Sequence, residues 1–325
     1  MREHEPGARG DARHDLHFIL IVSCDIVNHV FLVYALLLYR ILLPAGPANQ
    51  PLQHIVDESM NHRQGAAVAL DVETGQVLAS YRMDVAARRL AAPGSAIKPF
   101  TLIALMDAGL VKEQTSLFCP RTVRIGTHIL DCSHPRTPDS LDPVMALAYS
   151  CNHFFTAISG GLPFDALPRE FSRVGLNSVT GRWQTELPGV VDQPHSKQAM
   201  QLMSVGEEGI KVTPLGLAEA YRSLARPLRN PQSAPPEFQL VLKGLQAVVN
   251  TGTGQAARSK SVNVAGKTGT FGGHAWFAGF APAESPETVV VVFLERGTGG
   301  MDAAPIAGRI FDTYYMDRSA GRPVR

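Results

Sequence analysis

Three short motifs of this chain place hydroxyl, amine and amide groups where an acyl-transfer reaction would need them. The first is Ser95 with Lys98, three residues apart and directly after the turn-forming pair Pro93-Gly94. On a helix, positions i and i+3 share a face, so the lysine ammonium can reach the serine hydroxyl. A desolvated lysine can take the proton of such a serine and make it a nucleophile. The same pattern also fits an ordinary capped helix start with a surface lysine, so it needs support from the rest of the chain.

The other two motifs supply that support. Ser150 and Asn152 offer a hydroxyl and an amide that can relay a proton and hold a substrate amide. The third motif offers a lysine, two hydroxyls and a glycine at the end of a predicted strand: Lys267, Thr268, Gly269 and Thr270. A cation with hydroxyls can bind a carboxylate, and a glycine lets a substrate backbone lie against the strand. We expect the backbone N–H groups of Ser95 and Thr270 to face the oxyanion of the reaction.

The bulk composition is that of a folded protein. The chain has 325 residues, of which 45% are hydrophobic and 18% charged, and its formal net charge is +1. That length suits one large domain or two small ones. The nearly balanced charge gives no reason to expect nucleic acid as a partner.

The segment from residue 18 to residue 43 is apolar and long enough to cross a bilayer as one helix. Polar residues in its middle, Asp25, Asn28 and His29, weaken the pattern because charge is costly there. Arginines precede the segment and residues 44–62 contain no Lys or Arg, which favours an N-terminus inside the cell and the bulk of the chain outside. A membrane anchor is therefore predicted, with a cleaved signal peptide or a buried helix of a soluble protein as the alternatives.

The pattern of strands and helices after this segment predicts an α+β fold. Strand patterns cover residues 65–72, 76–81, 261–265, 275–280 and 288–294. Helical patterns cover residues 101–108, 141–159, 213–225, 238–249 and 304–315. With strands at both ends and helices between them, we expect an antiparallel β-sheet with helices packed on both faces, preceded by one N-terminal hydrophobic helix. The predicted boundaries are an N-terminal tail (1–17), the anchor or signal segment (18–43), a polar linker (44–64), the folded domain (65–316) and a C-terminal tail (317–325).

The cysteines leave three interpretations open. Cys119 and Cys132 flank a predicted hairpin over residues 122–130 and could form a disulfide outside the membrane. Together with His134 and Cys151 they could instead supply four zinc ligands. The third possibility is unlinked thiols, with Cys151 a small buried residue beside the second motif.

Residues 65–315 resemble the transpeptidase domain of penicillin-binding proteins. The serine–lysine, serine–asparagine and lysine–threonine–glycine motifs occur together in that family, in the order found here. Three longer stretches also resemble the family: the hairpin at 68–79, a helix at 212–221 and a strand at 274–282.

That resemblance implies a serine-type D-Ala-D-Ala transpeptidase or carboxypeptidase that needs no metal or cofactor. Ser95 would be the acylated nucleophile and Lys98 its general base, with Ser150 and Asn152 completing the proton relay. Lys267, Thr268 and Thr270 would bind the terminal carboxylate of a stem peptide, alongside Gly269. The implied partners are peptidoglycan stem peptides, β-lactams, the membrane through the N-terminal segment, and a wall-synthesis complex. The implied location is the bacterial cell membrane, single-pass and with an extracytoplasmic catalytic domain, or the periplasm after signal cleavage.

Other functions of the same fold are also compatible with these motifs. A β-lactam sensor would be acylated without turnover, and a β-lactamase would need a glutamate to activate water, for which Glu186 is the candidate. A catalytically idle structural partner gives no reason to keep all three motifs. The length leaves no room for a glycosyltransferase domain, so a monofunctional enzyme or a sensor is expected. Glu207 and Glu208 stand where relatives often have Gly-Gln-Gly, and no role is predicted for them.

Overall fold

The structure is a computed structural model that describes residues 49–132, 134, 140–230 and 232–319. The predicted N-terminal hydrophobic helix and membrane anchor lie outside these residues. Within the described part of the chain, no helix is both long enough and apolar enough to span a bilayer.

A five-stranded antiparallel sheet is the centre of the fold, as predicted. Its strands are β1 (Gly65–Asp71), β2 (Val77–Tyr81), β7 (Ala265–Phe271), β8 (His274–Ala281) and β9 (Thr288–Leu294). Their order across the sheet is β2-β1-β9-β8-β7, so strands from both ends of the sequence meet at β9. Every residue of β9 is buried, which explains why that strand is apolar throughout. Strand β7, which carries the third motif, forms one edge of the sheet.

Ten helices belong to the described part of the chain. They are α1 (Gln50–Met60), α2 (Met83–Arg88), α3 (Lys98–Asp107), α4 (Pro143–Ala148), α5 (Asn152–Ser159), α6 (Ala166–Arg173), α7 (Lys197–Ser204), α8 (Pro214–Leu228), α9 (Pro236–Asn250) and α10 (Ala304–Ser319). Two small hairpins pair β3 (Thr122–Ile125) with β4 (His128–Asp131) and β5 (Val190–Val191) with β6 (Ile210–Lys211).

Helices cover both faces of the sheet, which confirms the predicted architecture. Because side chains alternate along a strand, β9 sends Val291 and Phe293 to one core and Val290 and Val292 to the other. Helices α2 to α9 contribute to the first and larger core. Helices α1 and α10 close the second core on the opposite face.

Helix α1 lies where the sequence predicted a polar linker. Asn49 caps it by accepting a hydrogen bond from the backbone N–H of Leu52 at 3.1 Å. Its apolar residues are few, but they recur at helical spacing and are all buried: Leu52, Ile55, Val56 and Met60. The segment is therefore an amphipathic helix whose one apolar stripe packs on the sheet, and its low average hydrophobicity concealed this.

Two further predictions differ from the structure near the motifs. The single helix predicted over 141–159 is broken at Ser150, whose φ of 55° lies in the left-handed region, so α5 starts afresh at Asn152. The strand predicted over 261–265 instead begins at residue 265 and contains the third motif. The side chain of Asp312 accepts backbone hydrogen bonds from Lys260 and Ser261, and this holds the preceding residues in a turn.

Candidate active site

Ser95 lies in a tight helical turn, Gly94–Ile97, that runs directly into α3. Gly94 has a φ of +52° and donates its backbone N–H to the Gly206 carbonyl at 2.9 Å. A β-carbon on Gly94 would stand 2.9 Å from the Thr270 carbonyl oxygen. The turn is thus held between the loop at Gly206 and the edge strand β7, and only glycine fits its first position.

Two buried aromatic side chains fix the backbone on either side of the serine. The Trp276 indole N–H donates to the Ala92 carbonyl at 3.1 Å, and the Tyr221 hydroxyl donates to the Ala96 carbonyl at 2.8 Å. Both side chains are fully buried. Burial also raises the pKa of Tyr221 well above its ordinary value, so its hydroxyl stays a donor. The sequence indicated these residues only as parts of longer family-like stretches, and their role as supports of the turn was missed.

Lys98, the first residue of α3, is fully buried and makes three hydrogen bonds. Its ammonium donates to the Ser150 carbonyl at 2.8 Å, the Ser150 hydroxyl at 3.2 Å and the Asn152 side-chain oxygen at 2.7 Å. Among the described residues, none of its hydrogen bonds goes to Ser95. Burial lowers the pKa of Lys98 to about 8, against smaller raising effects of Cys151, Cys132 and Glu207.

The second motif is positioned by the break between α4 and α5. Ser150 occupies the left-handed region, which turns its carbonyl and its hydroxyl toward Lys98. The Asn152 amide nitrogen donates to the Asp131 carbonyl at 3.1 Å, which fixes the side chain against the end of β4. The predicted serine–lysine and serine–asparagine motifs therefore meet in space, although more than fifty residues separate them.

A cleft of about 510 Å³ lies between these elements. Its lining includes the hydroxyls of both serines, Asn152 and two threonines of β7: Ser95, Ser150, Asn152, Thr268 and Thr270. The Thr268 hydroxyl is hydrogen-bonded to the Thr253 hydroxyl at 2.7 Å, and the Thr270 hydroxyl accepts the Gly299 N–H at 2.9 Å. Six of the eight predicted site residues thus meet at the cleft, since Lys98 binds two of its lining side chains.

The other two predicted site residues, Lys267 and Gly269, are not among the described residues that line the cleft. The Lys267 side chain is fully buried and donates to the Thr268 carbonyl at 3.1 Å rather than lining the cleft. Burial, with a smaller effect of the Lys98 charge, lowers its pKa well below the ordinary value. A β-carbon on Gly269 would stand 2.3 Å from the Pro93 carbonyl oxygen. The absence of a side chain at this position therefore allows the serine turn to pack directly against β7.

Glu186, the candidate for activating water, organises a loop instead. Its carboxylate accepts backbone N–H groups from Thr180, Gly181, Arg182 and Trp183. Such a carboxylate is saturated by its own loop, and Glu186 is not among the described residues that line the cleft.

The three described cysteines are free thiols, so the disulfide between Cys119 and Cys132, one of the three interpretations left open by the sequence, is not formed in the structure. The Cys132 and Cys151 sulfurs lie 3.9 Å apart, far beyond a disulfide bond length. All three described thiols and His134 are buried. A hydrogen bond with the Cys151 thiol lowers the pKa of Cys132.

The chain is similar to a known family of proteins. A family model described as the penicillin binding protein transpeptidase domain matches residues 65–312. The peptidoglycan D,D-transpeptidase MrdA of Acinetobacter baumannii is 24% identical over 84% of this chain and 54% of its own length. The peptidoglycan D,D-transpeptidase FtsI of Escherichia coli is 27% identical over 81% of this chain and 54% of its own length. The chain therefore spans about half the length of these curated relatives.

Solved structures show the same fold. PBP2 of Pseudomonas aeruginosa superposes with a TM-score of 0.71 at 24% identity, covering 81% of this chain and 76% of that one. The D,D-transpeptidase domain of a peptidoglycan glycosyltransferase from Eggerthella lenta also has a TM-score of 0.71 at 24% identity. The match covers 84% of this chain and 82% of that one.

Proposed function

Because the chain belongs to the penicillin-binding protein transpeptidase family, we propose that it is a peptidoglycan D,D-transpeptidase that acts through an ester on Ser95. The observation that carries this proposal is the buried Lys98 ammonium, bound to both the Ser150 hydroxyl and the Asn152 amide beside the cleft that Ser95 lines. This arrangement supplies a nucleophile, a base of lowered pKa and a proton relay in one place.

In the first half-reaction, Ser95 Oγ attacks the carbonyl carbon between the two D-Ala residues of a stem peptide. The hydroxyl proton passes to neutral Lys98, and the N–H groups of Ser95 and Thr270 stabilise the oxyanion, each such donor contributing about 3 kcal/mol. When the C–N bond breaks, Ser150 delivers a proton to the leaving nitrogen and Lys98 replenishes it. Free D-Ala departs, and the remaining peptide is an ester on Ser95.

In the second half-reaction, an acceptor amine attacks the ester carbonyl. The amine loses its proton through the same relay, a new amide forms, and Ser95 recovers its hydroxyl proton. Attack by water would give a carboxypeptidase instead. A β-lactam enters the same path, but its leaving nitrogen stays attached after the ring opens, so the ester persists.

The Thr268 and Thr270 hydroxyls bind the terminal carboxylate of the substrate. Lys267 is buried and bonded to the Thr268 carbonyl, and in its charged form it raises the positive potential at the cleft without touching the ligand. Arrival of the carboxylate favours the charged form of Lys267, which opposes the effect of burial on its pKa.

The location follows from the substrate. Peptidoglycan is assembled outside the cytoplasmic membrane, and the apolar segment 18–43 would anchor the chain there or direct its export. An anchored enzyme of this kind would act beside the other proteins of a wall-synthesis complex.

A labelled penicillin tests the chemistry directly. The full chain should form a covalent adduct that persists, and digestion should place the label on Ser95. Ser95→Ala should form none, whereas Ser178→Ala, which changes an exposed loop serine, should react normally. The same preparation should release D-Ala from a stem pentapeptide and join it to an acceptor amine.

Each outcome separates the candidate functions. Absence of an adduct and of D-Ala release in the unmodified chain would contradict the proposal. Rapid loss of the label would indicate a β-lactamase, which Glu186 disfavours because its carboxylate is saturated within its own loop. A persistent adduct without D-Ala release would indicate a sensor.

A further inference from the structure

The four side chains Cys119, Cys132, His134 and Cys151 converge on one point behind the active site. Each offers one ligand atom, and these atoms all lie within 4.8 Å of one another. All four residues are buried, and the three cysteines belong to the larger core. They come from three segments of the chain. Cys119 precedes β3, Cys132 and His134 follow β4, and Cys151 is the N-cap of α5.

The spacing of the sulfurs suits a metal rather than a bond between them. In a tetrahedral zinc site with Zn–S distances of about 2.3 Å, neighbouring sulfurs are about 3.8 Å apart. The Cys132 and Cys151 sulfurs are 3.9 Å apart. A tetrahedron with one shorter Zn–N bond also accommodates a histidine within the observed 4.8 Å limit.

Backbone N–H groups point at two of the three sulfurs. Cys119 Sγ accepts the N–H of Arg121 at 3.3 Å, and Cys151 Sγ accepts the N–H of Phe154 at 3.5 Å. Hydrogen bonds of this kind favour the thiolate, which is the form that binds metal. The Arg121 guanidinium also donates to the His134 carbonyl, which holds that residue beside the cluster.

We propose that Cys119, Cys132, His134 and Cys151 bind one Zn²⁺ ion in a closed, structural site. Three thiolates and one imidazole form a standard structural set for zinc, and soft sulfur ligands disfavour magnesium and calcium. Binding forms three Zn–S bonds and one Zn–N bond, and the three thiol protons leave to solvent without any redox change. Four protein ligands leave no open position for substrate, so the ion is not a catalytic one. It would tie the β3–β4 hairpin to the turn that carries Ser150 and Asn152.

Metal content and cobalt spectroscopy test this site independently of catalysis. The full chain, purified under reducing conditions, should hold about one zinc per chain after dialysis. Replacing zinc by Co²⁺ should give the intense visible bands of tetrahedral cobalt with a sulfur-to-metal charge-transfer band. Chelation should lower the unfolding temperature by about 5 °C or more, and added zinc should restore it.

Single replacements locate the site. Cys119→Ser and Cys132→Ser should lose the stoichiometric zinc, while Cys24→Ser, which changes the one cysteine outside the described residues, should keep it. Retention of zinc by both variants would place the metal elsewhere and overturn the proposal. So would a reduced native chain with neither zinc nor cobalt bands, a result that does not depend on whether the variants fold. An intact mass about two units low, with two thiols unreactive, would indicate a disulfide in place of the metal site.

Discussion

Lys98 is a fully buried cation whose acceptors all come from the turn around Ser150. Burial disfavours the charged form, and this lowers the pKa of Lys98 to about 8. A base with that pKa can lose its proton near neutral pH, where an ordinary lysine remains charged. The proposed role of Lys98 as a base therefore depends on its burial as much as on its residue type.

Acylation of Ser95 should depend on pH through Lys98. Below the pKa of about 8, Lys98 is protonated and cannot accept the serine proton, so the rate should rise with pH and level off above that value. The expected slope below the pKa is about tenfold per pH unit. The measurement is the second-order rate of adduct formation with a labelled penicillin from well below to well above that pH.

Two neighbouring glutamates provide a matched pair of variants. The Glu207 charge raises the pKa of Lys98, whereas the Glu208 carboxylate lies 3.2 Å from the His128 ring nitrogen. Glu207→Gln should therefore move the rising limb to lower pH, and Glu208→Gln should leave it in place. A rate that stays flat across the pKa in the unmodified chain would show that another group is the base.

At the scale of elements, the serine turn is held from three sides. Helix α8 reaches it through Tyr221, strand β8 through Trp276, and strand β7 through the close approach of Gly269. These contacts fix the backbone around Ser95, the proposed nucleophile. The turn is only four residues long, and its geometry depends on long-range packing.

Tyr221→Phe should slow acylation as well as destabilise the fold. The change leaves the buried Ala96 carbonyl without its donor, at a cost of about 1–3 kcal/mol in the free energy of unfolding. Because that carbonyl lies next to Ser95, the acylation rate should also fall by about tenfold or more. Urea denaturation and labelled-penicillin kinetics measure the two effects separately.

Tyr315→Phe is the matched control. Its hydroxyl also donates to a buried carbonyl, that of Ala281 at 2.8 Å, but on the other face of the sheet. This variant should lose similar stability while acylating at the normal rate. Equal acylation rates in the two variants would show that Tyr221 serves stability alone.

At the scale of the whole molecule, α1 and α10 together cover the second face of the sheet. Leu52 and Met60 are completely buried there. The folded unit therefore begins before β1, and the residues ahead of the family match at 65–312 contribute to its core.

Leu52→Ala should destabilise the whole domain. The change removes a fully buried side chain and leaves a cavity, which costs about 2–5 kcal/mol in the free energy of unfolding. The urea midpoint of the full chain measures this cost. His54→Ala is the control: its side chain is 72% exposed and its pairing with Glu58 is a surface ion pair of little worth. An unchanged midpoint for Leu52→Ala would mean that α1 is only a linker.

The sequence by itself determined the motifs, the fold class and most elements of the sheet. Strands such as β9 were predictable because burial on both faces demands an uninterrupted apolar run. The sequence also indicated candidate site residues, because acyl transfer needs such groups at short local spacings: Ser95, Lys98, Ser150, Asn152 and the third motif.

Only the tertiary structure decided how these groups work together. It bonded Lys98 to Ser150, buried Lys267, and placed Gly269 where a side chain would block the serine turn. It also gathered three thiols and an imidazole from separate segments. Local sequence patterns do not reveal such features, because the burial of a side chain and the meeting of distant side chains depend on contacts between residues far apart in the chain.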